Sequence, residues 1–273
     1  MKRPVASLLL HLTLLVGAVI TITPLAWMAS ASFMRSGEAN HAPPPLLPAA
    51  ATLSQYVELF TRLDLARAFG NSLLIAGVAT LFSLLINGMA GYAFAKLRFP
   101  GREQLFAILI MGLVVPSQVA MLPLFLMLKS MGLINTYAAA ILPTMSGIFG
   151  IFMIRQYALG IPDDLLDAAR LDGAGEWRIF TEIVVPLLRP ILVTLALFTF
   201  MATWNDFMWP LIVLNDERLY TLPVALAGLV GEHVQDTELM MAGAMITVTP
   251  VLLLYVILQR SYVRGLMVGS VKG

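Results

Sequence analysis

Cysteine is absent from this 273-residue chain, which excludes disulfides, thiolate nucleophiles and cysteine-held metal. Charge is scarce. Asp, Glu, Lys and Arg make up 12% of the residues, against about 25% in soluble domains. What charge there is nearly cancels, at +1 overall, and no basic patch points to nucleic acid. The three histidines are isolated and no H-E-x-x-H pattern occurs, so no metal site is expected. The phosphate-cradling pattern G-x-x-x-x-G-K-[ST] is missing as well. The stretch "GAGEWR" at 173–178 has the glycines but no following lysine, so it cannot hold nucleotide phosphates. The turn-spaced aspartates that a membrane phosphotransferase would need on the helix after "DGAGEW" are also lacking.

Apolar residues dominate instead, at 59%. They gather in six runs, at residues 5–33, 69–97, 104–128, 137–157, 187–214 and 239–258. Several reach the roughly 20 residues that cross a bilayer core as helix. The expected fold class is therefore an all-α polytopic membrane protein, with six transmembrane helices in one transmembrane domain over 1–273. The 16 prolines and 20 glycines are compatible with it, because neighbouring helices resatisfy freed backbone groups in a membrane. The first run ends in "MASASF", which resembles a leader cleavage site. It is, however, much longer than the ~7–15-residue apolar core of a secretory signal and is read as an uncleaved first helix. The proline cluster in "HAPPPLLPAAATLSQYVELF" forbids a continuous helix there. The amphipathic part after Thr52 is expected on the membrane surface.

Lys and Arg fix the expected orientation. With the N-terminus inside, 12 of the 17 basic residues fall in cytosolic segments. Both termini are then cytosolic, and residues 161–186 form the largest cytosolic loop.

That loop concentrates the charge. Asp163, Asp164, Asp167, Asp172, Glu176 and Glu182 stand against Arg170, Arg178 and Arg189. Pro162, Asp163 and Asp164 suit a helix start. Leu165, Leu166, Ala168 and Ala169 suit an apolar stripe, and Gly173 suits a left-handed helix end. A second short helix is expected from about Gly175, with Trp177, Phe180, Ile183 and Val184 on one face. Pro186 and Pro190 would mark the return to the membrane. The loop reads either as resting on headgroups or as a docking knob. Its net −3 charge is a poor match to anionic lipid, and small Ala168 and Ala169 suit close approach by a protein partner.

The sequence "DAARLDGAGEWRIFTEIVVP" resembles the EAA motif of ABC importer permeases, with Asp167-Ala168-Ala169, Gly173, Ile183 and Val185-Pro186 at the motif positions. Asp167 stands where that family usually has Glu, and Val185 where it has Leu. Five further blocks resemble the carbohydrate-uptake branch of the family, in the manner of the maltose permease G subunit. They are "AFAKLRFPGR" (93–102), "PSQVAMLPLF" (116–125), "WNDFMWPLIVL" (204–214), "TLPVAL" (221–226) and "RGLMVGSVKG" (264–273). The resemblance implies a coupling helix that inserts into a separate ATPase subunit, with Asp167, Ala168, Ala169, Asp172, Gly173, Ala174, Ile183 and Pro186 as its coupling residues. It also implies an ATPase-contacting tail at Gly269, Ser270 and Lys272. The implied assembly holds a second homologous permease subunit, two ATP-binding subunits and an extracytoplasmic solute-binding protein. It sits in the bacterial cytoplasmic (inner) membrane and moves a sugar or sugar derivative. This chain would bind no cofactor; ATP and Mg would be used by the partners.

The rival reading is an ion-coupled secondary transporter or channel subunit. Such proteins usually keep ionisable residues inside the bilayer, whereas His11 and Asn87 are the main polar exceptions at the helix centres here. Candidate substrate-path residues are Asn87, Ser117, Gln118, Trp204, Asn205 and Asp206. An aromatic face beside Asn and Asp is the usual make-up of a sugar site. Thr80, Ser83, Thr144, Ser146, Thr199 and Thr203 are further polar groups at membrane depth.

Overall fold

The computed structural model describes residues 3–62, 64–232 and 236–268. Helices make up most of the chain, with no strand among the described residues. In chain order the helices are α1 (Arg3–Ala31), α2 (Ser54–Arg62), α3 (Leu65–Lys96), α4 (Arg102–Met111), α5 (Ser117–Ser130), α6 (Tyr137–Ile141), α7 (Ile148–Ala158) and α8 (Asp163–Leu171). They continue with α9 (Glu176–Trp204), α10 (Met208–Val213), α11 (Leu222–Glu232) and α12 (Thr237–Val268). Among the described residues, four stretches are long and apolar enough to cross a bilayer: Ala6–Ala31, Leu65–Lys96, Glu176–Trp204 and Thr237–Ile257. Two bent pairs, Arg102–Val114 with Ser117–Ser130 and Tyr137–Thr144 with Ile148–Ala158, raise the number to six if each is one span.

The breaks have local causes. The third apolar run bends by 104° at Val115 and Pro116, both extended (ψ 118° and 132°). A residue before proline is pushed out of the helical region by the ring, and Pro116 has no N–H to continue the ladder. The fourth run bends by 40° where Gly147 is extended after Pro143. The fifth helix begins eleven residues before the apolar run, at Glu176, and ends ten residues before its end, at Trp204. The expected second short helix of the loop is thus the first turns of α9. Pro186 and Pro190 lie inside α9 and do not interrupt it. Pro186 cannot donate to the carbonyl one turn back, and the helix over Ile179–Val184 widens to π geometry just before it, one of the usual responses to an interrupted ladder.

Two compact units emerge, residues 1–67 with 225–250 and residues 68–224 with 251–273. In the first, Ala31, Met34 and Ala39 pack with Trp27 and Met241, and Gln55 donates to the Met34 carbonyl at 3.3 Å. Glu238 is buried and accepts the Ala39 N–H at 2.6 Å.

The second unit has two apolar clusters that share α3. Tyr92 and Ala95 of α3 join Ile154 and Ala158 of α7, Leu166 of α8 and Ile179, Phe180, Val184 and Leu188 of α9. Further along α3, Ile75 and Ala79 join Leu128 of α5, Ala139–Ile141 of α6 and Trp209 and Val213 of α10. The Trp209 indole N–H donates to the Ala139 carbonyl at 3.0 Å, so this buried aromatic leaves no polar atom unpaired. Small residues let the helices approach closely. A Cβ at Gly91 would stand 2.6 Å from Ile154, and one at Gly150 would stand 2.6 Å from the Asn87 amide. Close approach through small residues is how helices associate where lipid removes the hydrophobic driving force.

Candidate functional site

The loop expected at 161–186 is a short helix pinned to the second unit. Leu166 of α8 is fully buried, and Ala169 packs behind it. Lys96, at the end of α3, donates to the Asp163 carboxylate at 2.7 Å and to the Ile161 carbonyl at 2.6 Å. That hydrogen bond, reinforced by the ammonium charge, holds the Asp163 carboxyl below its usual range. Arg170 is forked between two acids, with Nη1 to Asp167 at 2.7 Å and Nε to Glu176 at 2.8 Å. Hydrogen bonds to Glu176 first and Asp167 second push the guanidinium pKa up. Glu176 in turn accepts the Tyr92 hydroxyl at 2.9 Å. A polar chain thus runs from α8 through Arg170 and the start of α9 to α3.

The helix ends as a Schellman turn. Ala174 N–H bonds the Ala169 carbonyl and Gly173 N–H the Arg170 carbonyl, both at 3.0 Å, with Gly173 at φ +83°. Ala168, Leu171, Asp172 and Trp177 are among the residues that face outward. Leu171 is 90% exposed and Trp177 67% exposed. Asp164 and Asp172 make no ion pair among the described residues, whereas Asp163, Asp167, Glu176 and Glu182 do. Of the motif positions, Asp167, Ala168, Asp172 and Gly173 are on the exposed knob. Ala169, Ala174 and Ile183 pack against the core. Pro186 is exposed on α9. The tail positions Gly269, Ser270 and Lys272 lie outside the described residues.

A cavity of about 300 Å³ opens between α3, α7 and α9. Ser83, Asn87, Thr144, Thr199, Thr203 and Asp206 supply its polar lining. Asn87 donates to Ser83 at 2.7 Å and accepts the Gly147 N–H at 3.2 Å. Ser83 and Thr199 hydroxyls lie 3.2 Å apart, and Asp206 accepts the Trp209 N–H at 3.3 Å. Phe149 and Phe198, with ring centroids 6.2 Å apart, give the apolar wall.

The structure therefore brings Asn87 and Asp206 together and leaves the other sequence candidates elsewhere. Trp204 is buried, edge-on to Phe69 at 5.5 Å and stacked on Phe200 at 5.6 Å, and does not line the cavity. Asn205 is exposed and returns its amide to the Met201 carbonyl at 2.8 Å. Ser117 and Gln118 open α5 beside the 104° bend, both exposed. Thr80 bonds the Ala76 carbonyl of its own helix at 2.7 Å. Sequence reasoning named Arg170 only as a charge of the loop and did not foresee its pairing, nor those of Tyr92 and Lys96. The i, i+3 spacing of Asp167 and Arg170 was the one visible clue.

The arabinooligosaccharides transport system permease protein AraQ of Halalkalibacterium halodurans is 39% identical, with 100% of both chains covered. The lactose transport system permease protein LacG of Rhizobium radiobacter is 32% identical over 100% of this chain and 98% of its own. The sn-glycerol-3-phosphate transport system permease protein UgpE of Rhizobium meliloti is 32% identical over 97% and 98%. A chain from the crystal structure of a bacterial ABC transporter involved in import of the acidic polysaccharide alginate shares the fold. Its TM-score is 0.83 at 22% identity, covering 95% of this chain and 98% of that one. Residues 87–268, which hold the charged loop at 161–186 and every described lining residue of the cavity but Ser83, match one family throughout. The chain belongs to the binding-protein-dependent transport system inner membrane components.

Proposed function

We propose that this chain is one of two transmembrane subunits of an ATP-driven importer of a sugar or sugar derivative, and that it does no bond chemistry itself. The observation that carries this reading is the shared use of α3 and α9. The same two helices hold the exposed knob, through Tyr92 and Glu176, and line the cavity, through Asn87 and Thr199. A push on the knob therefore has a packed route to the cavity. Leu171, Asp172 and Trp177 stand ready for a soluble ATPase subunit, and Asp167 beside them adds the acid. Two such subunits would hydrolyse ATP with Mg, a second permease chain would complete the pathway, and an external binding protein would deliver the sugar. The names of the 39% and 32% identical relatives support the substrate class.

Uptake in vesicles that hold the whole assembly should persist when ion gradients are collapsed and ATP is supplied. It should stop when ATP is withheld under an intact gradient. The reverse pattern would establish the ion-coupled alternative instead.

Both termini are assigned to the cytosol on the 12 cytosolic basic residues out of 17. A cytosol-active reporter joined after Lys272 should be active and one at Asp216 silent. Activity at Asp216 would reverse the orientation.

A further inference from the structure

Among the described residues that line the cavity, Asp206 is the one ionisable group, and none is Lys, Arg or His. We propose that this cavity is a saccharide site for neutral, hydroxyl-rich ligands, and that Asp206 is its specificity-determining residue, accepting ligand hydroxyls and repelling carboxylate or phosphate groups. The assignment rests on the import reading and narrows its substrate class. A cavity of about 300 Å³ is at the small end of the ~300–1,000 Å³ range of ligand pockets.

The donor count points the same way. An ionised carboxylate only accepts hydrogen bonds, so its natural partners are ligand O–H groups. An anion would need donors, and those present are largely engaged. The Asn87 amide donates to Ser83 at 2.7 Å. The Thr144 hydroxyl donates to the Ile141 carbonyl at 2.7 Å. Ser83 and Thr199 face each other at 3.2 Å. No cation is at hand to offset a second negative charge, and like charges repel more strongly where water is scarce. Phe149 and Phe198 offer the apolar face that the C–H side of a sugar ring needs. Overall likeness leaves this question open, because the similar proteins include carriers named for a neutral disaccharide and for a phosphate ester. The cavity lining decides it here.

The absence of cysteine makes a direct test possible. Thr199→Cys places the chain's one thiol on the cavity wall, read out by mass on the chain purified from vesicles that hold the full transporter. Cationic trimethylammonium-ethyl and anionic sulfonato-ethyl methanethiosulfonates are compared. The cation should react at least tenfold faster than the anion, beyond their ratio on a free thiol. Adding Asp206→Asn should bring that ratio to within about twofold. Arabinobiose, lactose and galactobiose are then tried as protectants, against digalacturonate as the anionic control. At least one neutral sugar should slow labelling in the Asp206 background, and digalacturonate should not. Equal labelling by both reagents, labelling by neither, protection by no neutral sugar, or better protection by digalacturonate would each overturn the assignment. ATP-driven uptake is measured on the same vesicles without the cysteine. If uptake depends on ATP and the labelling shows no charge preference, the cavity assignment falls and the import reading stands. If labelling behaves as expected and uptake ignores ATP, the import reading falls instead.

Discussion

Asp167→Lys is expected to abolish uptake and to release the ATPase subunit, while leaving the membrane part folded. The internal cost should be small. Asp167 pairs with Arg170 at 2.7 Å, but its side chain is 65% exposed and that of Arg170 36%, and exposed pairs contribute only ~0–1 kcal/mol. Arg170 also keeps its second acid, Glu176, at 2.8 Å, so the tie from α8 to α3 survives. The external cost should be larger. A reversed charge would stand on the same exposed knob as Leu171, Asp172 and Trp177, where the proposed docking would strip water from both partners. Losing one member of a charge pair at such a contact costs ~2–5 kcal/mol, enough to weaken a micromolar complex beyond recovery on a column. Co-purification of the ATPase subunit with a tagged chain, beside a thermal melt of the chain alone, separates the two costs. Asp167→Glu, which keeps the charge and restores the family's usual residue, should copurify and import at least as well as the parent. If Asp167→Lys still holds the ATPase and still imports, the knob is not the coupling element. A melt lowered as far as the binding would mean that the Asp167–Arg170 pair is structural first.

The contrast between motif and geometry shows what one dimension can carry. Apolar runs and punctuating prolines are local, so the long spans and the break at Pro116 follow from neighbours in sequence. The left-handed turn at Gly173 is local too, and φ +83° is the conformation glycine adopts without strain. Pairings across long separations are a different matter. Tyr92 with Glu176 and Lys96 with Asp163 join residues more than sixty positions apart, and no period or spacing encodes them. The acids of the loop look in sequence like charge offered to a partner, yet four of the six are paired within the chain. At the cavity, Asn87 was visible as a polar residue at the centre of an apolar helix, where an amide needs partners. Asp206 was visible only as part of the "WNDF" string, and composition could not tell that Asp206 would line a cavity while Trp204, two positions earlier, would be packed between Phe69 and Phe200. A helix that stops at Trp204 turns those neighbours to different sides, and where it stops is set by tertiary packing.

Gly91→Ala should do more damage than its single added methyl suggests. In helix interiors the same exchange normally stabilises, because alanine exceeds glycine by up to ~1 kcal/mol in helix propensity. Gly77 tests that baseline in the same helix, since a Cβ there meets nothing within 4 Å. Gly77→Ala should melt at or slightly above the parental temperature and import normally. At Gly91 the new Cβ would stand 2.6 Å from both Cβ and Cγ2 of Ile154 and 3.0 Å from the Arg155 backbone nitrogen. None of these atoms is the free end of a flexible side chain. Ile154 is fully buried, and the side chain of Arg155 is held by the Phe94 carbonyl at 3.2 Å, by Glu103 at 3.2 Å and over the Phe106 ring at 3.9 Å. Relief must come from moving α7 away from α3, and overpacking of this kind costs ~1–3 kcal/mol or more. Gly91→Val should be worse, with a second branch pressed into the same contact. The two helices that would part also carry Asn87 and Gly150, which face each other on the cavity wall, so uptake should fall along with the melting temperature. If Gly91→Ala melts and imports like the parent, the close approach of α3 and α7 does not set the cavity wall, and the route from knob to cavity must run through α9 alone.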